Sequence, residues 1–337
     1  MVASRRIAPR PYFFELFVLA NLALIFILTS RANPFVLTTI PTTFRSFIPT
    51  LLGYAVAGVV LRCIVAAVRG QLKGYLRHIR TAGWLADTAR LVFFGATMVH
   101  AYFWIKFVVP LMRPGLLDQE LWDLDQAMMF GFSPNILFLD LFSNPVAMRV
   151  IDWSYARIFF ASMTMAFIFF LSSPSRRVRV AFSTGNSIMW LIGSWLYMLI
   201  PSLGPAFRFP EVWLPFAEGL PMTQFFQAML MANYREVLQL PLGTANDPQL
   251  MLGIGAFPSL HVAFQTYAFL WMRRLWIYGQ IVFGVFAVVI LIGSVVTGWH
   301  YLVDGLAGIV LAAVSYMIAA RLWNLREWRR LRAATRR

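Results

Sequence analysis

Charge is scarce in this chain. Asp, Glu, Lys and Arg make up 13% of its 337 residues, and 29 Lys and Arg face 14 Asp and Glu for a formal net charge of +15. Cysteine is nearly absent: Cys63 is alone, which excludes an intrachain disulfide and a thiolate metal site and leaves it as a small packing residue. There are four histidines. With 60% hydrophobic and 16% aromatic residues and a mean hydropathy of +0.68, a soluble globular protein is excluded. In a soluble chain the basic excess would suggest nucleic acid. Here the arginines flank apolar runs, so no nucleic-acid partner is expected, and the charge speaks of topology and anionic membrane lipids.

What is present in quantity is apolar sequence in runs that approach the roughly 20 residues needed to cross a bilayer. Eight spans are predicted, at 12–30, 46–68, 90–112, 154–172, 181–200, 257–272, 276–297 and 301–322, giving an all-α polytopic membrane helical bundle of about eight transmembrane helices. The segments between them alternate. The N-terminal flank with Arg5, Arg6 and Arg10, the 69–90 segment, the Arg176-Arg177-Arg179 turn, Arg273-Arg274 and the tail from Arg321 are basic. Segments 31–45, 113–153, 201–256 and 298–300 are longer or more acidic. The positive-inside rule then places both termini in the cytoplasm. The Arg5-Arg6 cluster reads as the flank of a retained first span rather than a cleavable signal. Two helices and a basic cytoplasmic segment at 1–80, a core at 81–323 and a basic tail at 324–337 complete the division.

Two of the four histidines sit at the edges of apolar runs on the outer side, in Ala256-Phe257-Pro258-Ser259-Leu260-His261 and Gly298-Trp299-His300-Tyr301-Leu302-Val303-Asp304. Ionisable groups at membrane depth are costly, so such residues are functional candidates. His300 and Asp304 stand four apart, on one helix face, where a carboxylate can fix the imidazole tautomer. Two histidines with one carboxylate support covalent catalysis, one attacking while the other protonates the leaving group. As metal ligands the same three are a thin set, and no metal or cofactor is expected. Pro258 and Ser259 open a span, where free N–H groups favour an anion such as phosphate.

These motifs resemble the type 2 phosphatidic acid phosphatase superfamily, and within it the branch containing fungal inositol phosphorylceramide synthase and its bacterial relatives. That branch carries Ala-Phe-Pro-Ser-Leu-His and His-Tyr-x-x-Asp-x-x-Ala-Gly, matched here by Ala256–His261 and by His300, Tyr301, Asp304, Ala307 and Gly308. The resemblance implies a six-helix phosphatase-like core within the bundle. It also implies a lipid phosphotransferase or phosphatase of the plasma membrane, of bacterial type, with its site on the extracytoplasmic face and lipids as substrates. His300 would be the nucleophile forming a phosphohistidine, Asp304 would orient it, and His261 would move protons. Ser259 and the backbone around it would help hold phosphoryl oxygens.

The likeness departs at Ser294, where the phosphatase branch carries an arginine, so a phosphate-neutralising cation must come from elsewhere. Arg208 in the Pro-rich 201–208 segment is one candidate. Lys106 and Arg113-Pro114 fit the Lys-x6-Arg-Pro spacing of the phosphatase branch's first motif and are the others. Asp123, Asp125 and Asp152 are read either as binders of an acceptor headgroup or as solvated carboxylates, and His100 as a packed residue. Three functions are weighed: transfer of a phospho-headgroup between lipids, hydrolysis of a lipid phosphate, and transport or scaffolding without chemistry. The last would call for paired, glycine-broken spans, a pattern the sequence lacks.

Overall fold

A computed structural model describes residues 11–29, 35–239 and 252–323. In chain order its helices are α1 (Phe13–Thr29), α2 (Phe35–Thr38), α3 (Ile40–Val68), α4 (Leu72–Ile79), α5 (Ala82–Met112), α6 (Asp118–Met128), α7 (Pro134–Leu141), α8 (Pro145–Leu171) and α9 (Arg176–Leu199). They are followed by α10 (Pro205–Arg208), α11 (Pro210–Trp213), a 3₁₀ turn (Leu214–Gly219), α12 (Pro221–Gln239), α13 (Leu260–Leu275), α14 (Ile277–Val296) and α15 (Leu302–Leu322). The described residues contain no strand.

Each of the eight predicted spans falls on one of the helices α1, α3, α5, α8, α9, α13, α14 and α15. Five of these, α3, α5, α8, α14 and α15, are long and apolar enough to cross a membrane. The protein is therefore a multi-pass integral membrane protein. The apolar α1 stops at 17 residues, α13 has 16 residues, and α9 carries Arg176, Arg177 and Arg179 in its first turn. α13 nonetheless sits at the centre, against α8, α9, α14 and α15. Its Leu260, Val262, Ala263, Phe264, Tyr267 and Ala268 are all buried. A helix that is buried all round can be shorter and less uniformly apolar than one that faces lipid, because protein rather than hydrocarbon meets its polar atoms.

Helix starts follow local chemistry. Asn144 accepts from the Val146 and Ala147 N–H groups and Pro145 occupies the first turn, so α8 begins nine residues before the apolar run does. Ser175, Ser133 and Thr81 cap α9, α7 and α5 in the same way. Where α15 crosses the start of α13, Gly308 has no room for a side chain: a Cβ there would meet the Ser259 carbonyl. That close approach brings the two histidine motifs together.

The outer segments are not extended loops. Within the 113–153 segment the chain forms two helices, α6 and α7, broken at Gly131. With α10, α11, the 3₁₀ turn and α12 they form a cap over the end of the bundle where α13 and α15 begin. Its Leu121, Trp122, Leu139, Trp213 and Leu220 pack with Tyr301 and Val296. At the opposite, arginine-rich end, Glu15 pairs with Arg90 at 2.5 Å and Asp87 with Arg176 at 3.0 Å, and the Tyr12 hydroxyl joins the second pair. Residues 1–10, 30–34, 240–251 and 324–337 lie outside the described residues, and with them Arg5-Arg6, Arg10 and the basic tail.

Candidate active site

The site is built on the turn between α14 and α15. Ser294, 0% exposed, accepts the His300 N–H on its carbonyl at 3.1 Å. Asn135 of α7 donates to the carbonyls of Val295 (2.9 Å) and His300 (3.2 Å), and the Trp213 indole donates to Val296 at 2.8 Å. Gly204 lies in the left-handed region (φ +108°), and a Cβ there would strike the Trp299 carbonyl, so the 201–206 segment can lie flat against this turn. Ala206 N–H then donates to Gly298 at 3.0 Å.

Within this frame three side chains form a row. Asp304 Oδ2 lies 3.3 Å from His300 Nδ1, and His300 Nε2 lies 3.4 Å from His261 Nδ1. Asp304 occupies the third helical position of α15 and turns back to accept the Tyr301 N–H at 3.0 Å, the reciprocal half of a capping box. Its other oxygen, Oδ1, has no hydrogen-bond partner among the described residues. With Nδ1–H directed at the carboxylate, the proton assignment leaves His300 Nε2 with a free lone pair facing His261. His300 is 3% exposed, and burial pushes its imidazole below the ordinary value, which keeps it neutral. Tyr155 of α8, absent from the sequence expectations, places its hydroxyl 3.3 Å from His261 Nδ1. Phe159 packs edge-on to the same ring with centroids 4.1 Å apart.

Of the predicted phosphate-binding residues, the structure brings one into the site. Lys106 lines the same cavity as His261 and His300, with its ammonium 3.4 Å from the Tyr102 hydroxyl and over the Tyr102 and Tyr197 rings. No carboxylate pairs with it among the described residues. Arg113 does not join it. Seven residues apart on a continuing helix the two would share a face, but α5 ends at Met112 ahead of Pro114, and Arg113 is non-helical and exposed. Arg208 is also exposed, stacked on Phe209 at 5.4 Å, outside the cavity lining. Ser259 is fully buried and its hydroxyl caps α13 by accepting from Val262 N–H, while its own N–H donates to the Asp304 carbonyl at 2.9 Å.

The outer carboxylates require a correction. Asp125 and Asp152 are neither solvated nor turned toward a ligand. Asp125 accepts the Leu302 and Val303 N–H groups at 2.7 and 2.8 Å, capping α15 from another helix, and Asp152 does the same for Met222 and Thr223 at the start of α12. Both are buried because a helix N-terminus offers them unsatisfied donors and a favourable dipole. Burial pushes the Asp125 carboxyl up to about 6 against those hydrogen bonds. Asp118, missed from sequence, is the third of the set: it accepts from Leu203 and Gly204 N–H and from the Tyr301 hydroxyl. Asp123, by contrast, is exposed and accepts from the Gln119 side-chain amide. His100 is packed within α5, hydrogen-bonded to Thr43 and against Trp104.

A cavity of about 500 Å³ runs from His261 and His300 into the bundle, between α3, α5, α8 and α9. Its walls are mostly apolar and aromatic. Among the described residues no group of three or more His, Cys, Asp or Glu side chains is placed to hold a metal ion.

The chain is thus a multi-pass helical membrane protein with a buried histidine–carboxylate row that opens onto an apolar cavity. The PAP2 superfamily model matches residues 119–318, more than half of the chain, and the protein is a member of that superfamily. It is accordingly an enzyme of the phosphatase/phosphotransferase type for lipid-type substrates. No curated protein and no solved structure matches the chain. The matched segment starts inside α6, so α1 to α5, and with them Lys106, precede it.

Proposed function

We propose that the protein moves a phosphoryl or phospho-headgroup from one lipid to the hydroxyl of a second through a phosphohistidine on His300. The row Asp304–His300–His261 carries this reading. His300 Nε2 attacks phosphorus, forming the N–P bond as the P–O bond to the donor alcohol breaks. Protonated His261 gives its proton to the departing oxygen. His261, now neutral, takes the proton of the incoming hydroxyl, whose oxygen displaces Nε2 and regenerates free His300. Asp304 holds the Nδ1 proton and stabilises the cationic ring of the intermediate. Lys106 supplies the positive charge against the phosphoryl oxygens that no arginine at position 294 provides.

A lipid acceptor rather than water is favoured by burial: His300 is 3% and Asp304 0% exposed beneath the cap of α6, α7 and α10 to α12. The match of Ala256–His261 to the synthase-like branch points the same way. Arg69, Arg77, Arg80, Arg176, Arg177, Arg273 and Arg274 gather at the end remote from His300, so by the positive-inside rule the site opens on the extracytoplasmic face. The test is to incubate detergent-purified protein with labelled lipid phosphates, with and without lipid alcohols. Label passing to the alcohol supports transfer; phosphate release indifferent to the alcohol makes the protein a lipid phosphate phosphatase instead. Acid-labile, base-stable labelling that persists in His300→Ala would remove His300 as nucleophile.

A further inference from the structure

The cavity is more than an entrance to the histidines. One wall comes from helices that precede the family match: Phe47, Leu51 and Tyr54 fall on one face of α3, and Met98 and Tyr102 belong to α5. Across from them, Phe159 and Met163 of α8 line it. Deeper in, the lining changes character. Ser183, Asn186 and Ser187 project from one face of α9, forming a polar rung in a mostly apolar channel. Asn186 is 3% exposed, and its Oδ1 has no hydrogen-bond partner among the described residues. Gly193, nearly two turns above, packs on Leu260 beside His261. Seven residues separate Gly193 from Asn186, so the rung lies roughly 10 Å along α9 from that level at about 1.5 Å per residue.

We infer that this cavity seats the hydrocarbon tail of the phosphorylated lipid and that the Ser183–Asn186–Ser187 rung sets the longest chain accepted. The inference rests on the lipid-phosphate reading above, because the occupant is fixed by continuity with His261, His300 and Lys106. Each methylene that enters the apolar part gains about fourfold in affinity. A methylene pressed against Asn186 gains nothing comparable, since it strips an amide of water and offers no hydrogen bond in return; the loss is roughly tenfold. Affinity therefore rises with chain length to a maximum and then falls. Bulk added at Gly95, whose Cβ would press on its neighbour Leu51 in the same wall, pushes that side chain into the cavity and shortens the accepted chain. Removing the amide lengthens it.

The probe is a homologous series of saturated monoalkyl phosphates, offered as equimolar mixtures to the full chain in detergent. Binding is read by native mass spectrometry in a His300→Ala background, where turnover does not interfere, and phosphate release is read in parallel with His300 intact. The expected result is one preferred length, moved to shorter members by Gly95→Leu and by Leu51→Trp and to longer members by Asn186→Leu, each by threefold or more in the ratio of adjacent members. Gly53→Leu, on α3 where nothing lies within 4 Å, leaves the maximum in place. A maximum that stays fixed in all three cavity variants, or affinity that rises with length without a maximum, overturns the inference. So does a preference of the parent protein for tails with a mid-chain hydroxyl, because the rung would then be a binding group and not a stop. If label from none of the series is released as phosphate or passed to an added lipid alcohol, the lipid-phosphate reading fails on its own while the binding maxima still report on the cavity.

Discussion

The two ends of this bundle use charge in opposite ways. At the arginine-rich end, carboxylates meet cations: Glu15 holds Arg90, and Asp87 with Tyr12 holds Arg176. At the histidine end, carboxylates meet backbone instead. Asp118, Asp125 and Asp152 take N–H groups at Leu203–Gly204, Leu302–Val303 and Met222–Thr223. Lys106 is left without a carboxylate among the described residues, and Asp304 Oδ1 without a donor. The first arrangement is closed and structural. The second fixes loops and helix starts with anions yet keeps one cation uncommitted, as the phosphate site proposed for it requires.

That contrast can be broken by substitution, beginning with the largest effect. His300→Ala should lower turnover by a thousandfold or more, measured as phosphate release or transfer, with melting in detergent little changed; a variant retaining a tenth of the activity would end the nucleophile assignment. Next, Lys106→Ala should cost roughly a hundredfold in kcat/KM, with Lys106→Arg in between, whereas Arg208→Ala and Arg113→Ala should cost a few-fold at most. The reverse ranking would move the phosphate clamp to the outer surface and erase the distinction between the two ends.

The carboxylates give a pH test. Asp125 in the fold has its pKa raised from 3.8 to about 6. Between those values the folded state keeps a proton that the unfolded chain has released, so its contribution to stability is full below 3.8 and is lost as pH rises through about 6. Activity should run the other way, because only the ionised carboxylate accepts both α15 N–H groups, and the start of α15 carries Asp304. A several-fold fall in kcat/KM as pH drops below about 6 should be blunted in Asp125→Asn, whose rate is already reduced; an unaltered profile would show that Asp125 does not govern it. Smallest in activity is the arginine-rich end. Glu15→Gln should lower the melting temperature by an amount equivalent to about 1–3 kcal/mol with kcat/KM kept within twofold; a large kinetic loss would mean the ends are coupled.

Much of the fold was legible because its signals are local. A run of apolar residues identifies a span wherever its neighbours lie, and each of the eight runs became a helix. His300 and Asp304 were readable as a pair because four residues on a helix always share a face. Helix starts were harder: the Asn144 cap extends α8 beyond its apolar run, since capping depends on one side chain and not on hydropathy. Tyr155 had no signal at all, its partner His261 lying 106 residues away.

By itself, then, the sequence determined a membrane bundle, its spans and the two histidine motifs, all properties of short stretches of chain. Tertiary structure decided which cation faces the histidines, because the end of α5 at Met112 turns Arg113 outward and leaves Lys106 within. It also decided that Asp125 and Asp152 serve helix starts, and that α3 and α5 wall the cavity. Those outcomes depend on how each helix is rotated about its axis and on what packs beside it, and no single segment carries that information.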